Sequence, residues 1–336
     1  MFSGTYNRNA YHGGDLIGAG QRYGTHAPSW IDLSTGINPI PYPLPKISPD
    51  AWQRLPSSEL ETELLKSARN YYNIANAADL IAASGTQSLI QMLPYLVAPT
   101  EVAIVTPTYA EHEICWQRAG HQIIECRSLA SVPDRCNVVI VVSPNNPTGA
   151  IYNTDDLKIL SQKLRAKGGL LVIDEAFMDV SPDQSICPAL PSAGIITLKS
   201  FGKFFGLAGV RLGFAAGDHD VITQLRARLG PWAVSGIAME VANTAFKDNH
   251  WILEARNRLA ADRKRLETML SDAGLTVLGG TDLFSYAQSE KAAQIHEHLC
   301  QQHILIRPFA TDPSKLRFGH PACTNDWDRL SGALRI

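Results

Sequence analysis

Apolar runs of strand length recur through the middle of the chain, at 102–105, 138–142, 170–173, 195–198 and 212–215. They are continuous rather than alternating, which marks strands covered on both faces. An amphipathic stretch at 155–165 separates two of them with helical spacing. Strand followed by helix, repeated, is the parallel α/β arrangement, in which ligands gather at the carboxyl ends of strands. From about His250 the pattern changes to a long helix over 251–273, short strands near 276–278 and 284–287, a helix near 292–301 and a strand at 304–306. This reads as a second, smaller α+β domain. The first forty or so residues are rich in Gly, Pro and Asn and read as an extended arm. The expected division is an amino-terminal arm and small-domain segment at 1–45, a large domain with a mostly parallel sheet at 46–240, and a carboxyl-terminal small domain at 241–336.

Composition adds limits more than content. The chain has 336 residues, 45% of them hydrophobic, enough for a large core and two unequal domains. Its formal net charge of −2 is spread without a basic stripe, which argues against nucleic acid as a partner. The amino terminus lacks the apolar core of a signal peptide and no run approaches the length that spans a bilayer, so the expected location is the cytoplasm, with no membrane partner. Six cysteines without C-x-x-C spacing are expected to be free thiols. His296 and His298, two positions apart, do not suggest a metal site.

The chemistry is concentrated around Lys203, which stands among glycines with Ser200 before it and Arg211 eight positions after it. A partly desolvated lysine amine can condense with an aldehyde, and neighbouring glycines let the backbone approach a planar ligand. Ser200 and Arg211 suit a phosphate, one as a neutral donor and the other as a guanidinium fork. Together these features imply pyridoxal 5'-phosphate. The plainer reading is a glycine-rich loop with a solvated lysine.

A pyridoxal site needs further groups at strand ends, and the chain offers them. Asp174 closes the run 170–173, where a carboxylate can keep a pyridine nitrogen protonated. Asn146, in a Ser-Pro-Asn-Asn-Pro-Thr-Gly turn after the run 138–142, is placed to donate to the ring's phenolic oxygen. Gly85, Thr86 and Gln87 precede a helical pattern and present N–H groups and a hydroxyl to a phosphate. Tyr109 follows the run 102–105 and suits stacking on the ring. Taken singly, each of these is ordinary turn, cap or core chemistry.

The ordered set Gly85-Thr86, Tyr109, Asn146-Pro147-Thr148-Gly149, Asp174-Glu175-Ala176-Phe177, Ser200-x-x-Lys203 and Arg211 resembles the fold-type I pyridoxal-phosphate enzymes of the class I/II aminotransferase superfamily. The resemblance implies Lys203 as the cofactor-linked lysine and proton shuttle, Asp174 at the ring nitrogen and Asn146 at the ring oxygen. It assigns stacking to Tyr109 and the phosphate to Gly85, Thr86, Ser200 and Arg211. It also implies a homodimer.

Within the superfamily the chain is similar to the histidinol-phosphate aminotransferase branch and, inside it, to the L-threonine-O-3-phosphate decarboxylases of cobalamin biosynthesis. The narrower likeness rests on Tyr11-His12-Gly13-Gly14-Asp15, on Asp32-Leu33-Ser34-Thr35-Gly36-Ile37-Asn38-Pro39, and on Phe177 where many aminotransferases carry tyrosine. It implies a small phosphorylated amino acid as substrate, with Arg317 on the α-carboxylate, Arg307 on the phosphate or sharing the carboxylate, and His12 and Asn38 in the substrate set. One departure stands out: where related aminotransferases place a tyrosine before proline for a contact across the dimer, this chain has Leu55. The cofactor residues serve decarboxylation and transamination alike, so both readings stay open. A third is a catalytically idle pyridoxal protein that associates with a cobinamide-synthesis enzyme.

Overall fold

The computed structural model describes residues 13–24, 29–191 and 194–335. Its contacts divide the chain into two compact units, one running from Ile40 to Arg258 and the other holding the described residues up to Pro39 together with those from Leu259 onward. Strand β1 (Ile31–Asp32) belongs to the second of these, the smaller unit.

The larger unit is built on a seven-stranded sheet of β2 (Asp79–Ala83), β3 (Glu101–Val105), β4 (Gln122–Cys126), β5 (Val138–Val142), β6 (Leu170–Asp174), β7 (Ile195–Ser200) and β8 (Gly213–Gly217), in the spatial order β2-β8-β7-β6-β5-β3-β4. The pairs from β7 through β6, β5 and β3 to β4 are all parallel. Strand β8 runs antiparallel to both of its neighbours, β2 and β7. Every residue of β5, β6, β7 and β8 is buried, as continuous apolar runs require when helices cover both faces.

Sequence periodicity located five of these strands and not the other two. Strand β4, Gln-Ile-Ile-Glu-Cys, lies at the sheet edge with two exposed positions, so it carries no continuous apolar run. Strand β2 is short and two of its five residues are alanine, a weak strand signal that pairing with β8 overrides. Gly213 opens β8 because a Cβ there would stand 2.5 Å from the Thr86 amide nitrogen.

In the smaller unit β1 pairs in parallel with β11 (Ile304–Leu305), and a four-stranded antiparallel sheet has the order β12-β13-β10-β9. Its strands are β9 (Thr276–Thr281), β10 (Phe284–Gln288), β12 (Arg307–Pro308) and β13 (Lys315–Phe318). The core gathers Leu33, Leu266, Leu299, Phe318 and Trp327. The extended-arm expectation needs correction: residues Leu16–Tyr23 form a helix. Asp15 caps it, Oδ1 accepting from the Gly18 amide at 2.9 Å, and Leu16, Ala19 and Tyr23 pack against Cys300 and Leu305. Two glycines in eight residues hide the helical pattern, and tertiary packing supplies what propensity lacks. The long helix expected at 251–273 is Asn249–Asp272, and the helix Ala292–Gln301 carries His296 and His298. Among the described residues no helix is long and apolar enough to cross a membrane, no His/Cys/Asp/Glu group could hold a metal, and the cysteines are unbridged.

Candidate active site

A pocket opens in the larger unit at the carboxyl ends of β5, β6 and β7, with an empty volume of about 750 Å³ including its mouth. All ten residues expected to touch the cofactor line it: Gly85, Thr86, Gln87, Tyr109, Asn146, Asp174, Phe177, Ser200, Lys203 and Arg211.

Lys203 owes its place to the three phenylalanines around it. The short helix Phe201–Phe204 follows β7 directly, and Phe201, Phe204 and Phe205 are all fully buried. Phe201 stacks on Phe205 with ring centroids 4.6 Å apart, and Phe205 stacks in turn on Trp251 at 5.6 Å. Each such ring contributes about 1.5–3 kcal/mol by burial. With positions 201, 204 and 205 committed to one helical face, residue 203 falls on the other, toward the pocket. Its ammonium lies 5.4 Å from the Phe177 ring centroid, within cation–π range. Gly202 is required at the turn, because a Cβ there would meet the Ala208 Cα at 2.7 Å.

Asp174 ends β6 with its carboxylate buried. Oδ1 accepts from the Ala176 amide at 3.0 Å, and Oδ2 lies 2.9 Å from Nε2 of His112, itself only 1% exposed. His112 was not among the expected site residues. It sits one helical turn after Tyr109 in the helix Ala110–Arg118, and no local pattern ties it to a carboxylate 62 positions away.

Gln87 does more than lend a backbone amide. Its Nε2 donates to Glu111 at 2.7 Å and its Oε1 accepts from the Tyr109 hydroxyl at 3.3 Å, which holds the tyrosine ring in the pocket wall. Of the two asparagines after β5, Asn145 is committed to the turn: its Nδ2 donates to the Pro107 carbonyl and to Thr148 Oγ1, both at 2.8 Å, and its Oδ1 accepts from Thr108 at 2.7 Å. Asn146 lines the pocket.

Gly85 is the N-cap of the helix Thr86–Met92 with φ of 81°, and no side chain caps that helix. The first amides of a helix have no intrahelical acceptor. A Cβ on Gly85 would lie 2.7 Å from Nη2 of Arg211, so only glycine lets the guanidinium come this close. Arg211 itself adopts a left-handed backbone, φ 54°.

These residues fit pyridoxal 5'-phosphate on their donor chemistry. The helix amides, the Ser200 hydroxyl and the Arg211 guanidinium suit a phosphate, the Asp174 carboxylate suits a pyridinium nitrogen, and the Lys203 amine suits an aldehyde. The cradle that a Gly85 Cβ would fill is the structural observation that supports the fit.

Beneath the pocket lies a second, sealed set of charges that sequence reading did not find. Lys199 and Glu175 pair at 2.8 Å, 2% and 1% exposed, and Ser185 donates to the same carboxylate at 2.6 Å. Burial alone pulls the Lys199 pKa down, but the facing carboxylates, Glu175 foremost, outweigh it and leave the ammonium favoured beyond the ordinary lysine range. Burial pushes the Asp179 carboxyl up from its ordinary value, with Lys199 opposing, and pushes the Cys187 thiol up to about 12.

The substrate-side residues fall in the smaller unit. Arg317 on β13 is buried, donates from Nη2 to the Ser34 carbonyl at 2.6 Å, and has its guanidinium 5.1 Å from the Phe284 ring centroid. Arg307 on β12 is its direct register partner across the sheet, half-buried beside Phe309. Asn38 is buried in the same unit. His12 lies outside the described residues. Leu55 is 66% exposed.

Residues 46–329 match the family model of aminotransferase class I and II. Threonine-phosphate decarboxylase from Pseudomonas aeruginosa is 41% identical over 96% of each chain, and one from Sinorhizobium sp is 39% identical over 96% of this chain and 97% of that one. Among solved structures, histidinol-phosphate aminotransferase from Sinorhizobium meliloti in complex with pyridoxal-5'-phosphate has a TM-score of 0.81 at 19% identity, covering 100% of this chain and 97% of that one. L-threonine-O-3-phosphate decarboxylase from Porphyromonas gingivalis has 0.74 at 17%, covering 90% and 97%. At such identities these two bear on the fold alone. With the fold, the pocket and the family match in agreement, the chain belongs to the class I and II aminotransferases, a family of fold-type I pyridoxal-phosphate enzymes.

Proposed function

We propose that this protein decarboxylates L-threonine O-3-phosphate to (R)-1-aminopropan-2-ol O-2-phosphate, a step of cobalamin biosynthesis. The observation that carries the proposal is the near-full-length similarity to two threonine-phosphate decarboxylases, joined to a pocket with a full set of cofactor-compatible side chains.

Pyridoxal 5'-phosphate, when bound, supplies the electron sink for charge left at the substrate α-carbon as a bond there breaks. The protein's residues supply the rest. Lys203 would anchor the cofactor covalently, and Lys203 or a water would return the proton to the α-carbon. Asp174, oriented by His112, would hold the proton at the ring nitrogen, and Asn146 would donate to the ring oxygen. Ser200, Arg211 and the amides of Gly85, Thr86 and Gln87 would bind the phosphate, and Tyr109 would stack on the ring, with Phe177 lining the same pocket.

On the substrate side, Arg317 is assigned the α-carboxylate and Arg307 the substrate phosphate or a share of the carboxylate, with His12 and Asn38 completing the set. Like charges placed directly opposite across a sheet repel, and an anionic ligand relieves that cost, which favours a doubly anionic substrate near the Arg307 and Arg317 pair. How these arginines orient the carboxylate decides between carbon dioxide loss and amino transfer. The protein is further proposed to act in the cytoplasm as a homodimer, with a cobinamide-synthesis enzyme as a partner.

The test is to incubate purified, cofactor-loaded protein with L-threonine phosphate, with and without a keto acid. Carbon dioxide and aminopropanol phosphate without the keto acid are expected. Amino transfer that requires the keto acid and releases no carbon dioxide would replace this reading with the aminotransferase one.

A further inference from the structure

The sealed charges take no part in the chemistry just described, yet they tie together the ends of β6 and β7, two of the segments that carry it. Four donors converge on the Glu175 carboxylate. Oε1 accepts from the Ile186 amide at 2.8 Å, and Oε2 accepts from Ser185 Oγ at 2.6 Å, Lys199 Nζ at 2.8 Å and the Cys187 thiol at 3.9 Å. These donors come from β7 and from the strap at 176–187. Glu175 itself follows the last residue of β6, and its amide donates to the Leu198 carbonyl at 2.9 Å.

The tied segments present several of the pocket residues. Asp174 immediately precedes Glu175, Phe177 lies near the start of the strap, and Lys203 follows Lys199 across the junction from β7 to the helix Phe201–Phe204. The strap is held again farther along, where the Arg256 side chain donates to the Asp179 carbonyl at 2.7 Å. Lys199 also sits 4.9 Å from the Tyr72 ring centroid, and the residue is only 2% exposed. A buried ion pair is a poor device for stability alone, since apolar residues of similar volume do as well or better. What such a pair does offer is fixed direction and spacing.

We propose that Glu175 and Lys199 are positioning residues for the cofactor site: their buried pair fixes the spacing among Asp174, Phe177 and Lys203 and thereby sets the pose in which the cofactor is held. This rests on the reading that the pocket takes pyridoxal 5'-phosphate through Lys203.

The experiment compares wild-type protein, the double variant Glu175→Gln/Lys199→Met and the single variant Ser185→Ala, each reconstituted with pyridoxal 5'-phosphate. Unfolding midpoint, cofactor dissociation constant and the visible circular dichroism of bound cofactor are read for each. The double variant removes both charges while keeping an amide oxygen for Ile186 and Ser185, so its midpoint should stay close to wild type. Its cofactor dissociation constant should rise about tenfold and its visible dichroism should fall, in line with the coupling found within one hydrogen-bond network. A wild-type affinity and dichroism in a folded double variant would overturn the proposal.

Should the double variant fail to fold, Ser185→Ala decides, because it deletes one donor and leaves the ion pair. A rise of about threefold in the dissociation constant with a changed dichroism is expected there, and no change in either would overturn the proposal. Wild-type protein that binds no cofactor, or is labelled by borohydride reduction at a lysine other than Lys203, would instead sink the reading of the pocket.

Discussion

The ends of β6 and β7 present two faces with the same residue types and opposite fates. On the pocket face stand Asp174 and Lys203, and on the sealed face stand Glu175 and Lys199. Alternation along an extended strand sends consecutive side chains to opposite sides, so two adjacent acids separate into two environments. The sealed acid meets a cation at 2.8 Å and is finished as a local structure. The pocket acid meets an imidazole at 2.9 Å and remains part of a cavity wall, available to a ligand. Charge type alone does not mark a catalytic residue. What separates the two faces is access to the cavity: Asp174 and Lys203 line it, whereas Glu175 and Lys199 do not.

The largest expected effect separates the two lysines. Lys203→Ala should abolish borohydride-stable attachment of cofactor and lower turnover by orders of magnitude, with little change in the unfolding midpoint. Cofactor still attached in that variant, found by peptide mapping on Lys199, would reverse the assignment of the two faces.

Next comes the sealed face alone. Glu175→Gln leaves a buried ammonium without its counter-charge and should cost about 3–5 kcal/mol of stability in urea unfolding. A loss below about 1 kcal/mol, the range of exposed pairs, would mean that water reaches this face after all.

Gly85→Ala sharpens the pocket side. A left-handed backbone costs an L residue about 1–2 kcal/mol, and the new Cβ would press on Arg211. Cofactor affinity measured by titration should fall further than stability does, and an unaltered affinity would remove the phosphate cradle from the site.

The smallest effect is a pH dependence confined to alkali. Lys199 has its folded pKa raised above the ordinary 10.5, so its contribution to stability is complete below that pH and is lost as pH rises through the raised value. Above pH 10.5 the unfolding midpoint of wild type should therefore decline more steeply than that of Glu175→Gln/Lys199→Met. Parallel declines would show that the ammonium is not held by the pair.

Much of the cofactor pocket was legible in the chain because its residues punctuate strand ends, where periodicity breaks and Gly, Pro and Asn cluster. Asn146, Asp174 and Ser200 each follow or close an apolar run, and that position, more than residue type, pointed to a ligand. His112 and the Glu175–Lys199 pair were not legible. Their meaning lies in partners 62 and 24 positions away, and neither leaves a local pattern. The helix Leu16–Tyr23 was misread for a related reason: its glycines argue locally against a helix, while its stability comes from packing on Cys300 and Leu305.

By itself, then, the sequence determined the strand-and-helix alternation, the burial of the central strands and the order of the cofactor-compatible residues, because hydrophobic period and turn chemistry are local properties. Only the tertiary structure decided that the neighbouring acid Glu175 and the nearby Lys199 are sealed against each other, that β8 runs against its neighbours, and that His112 orients Asp174. Those are matters of long-range pairing and of side-chain direction on a packed sheet, which short-range pattern does not encode.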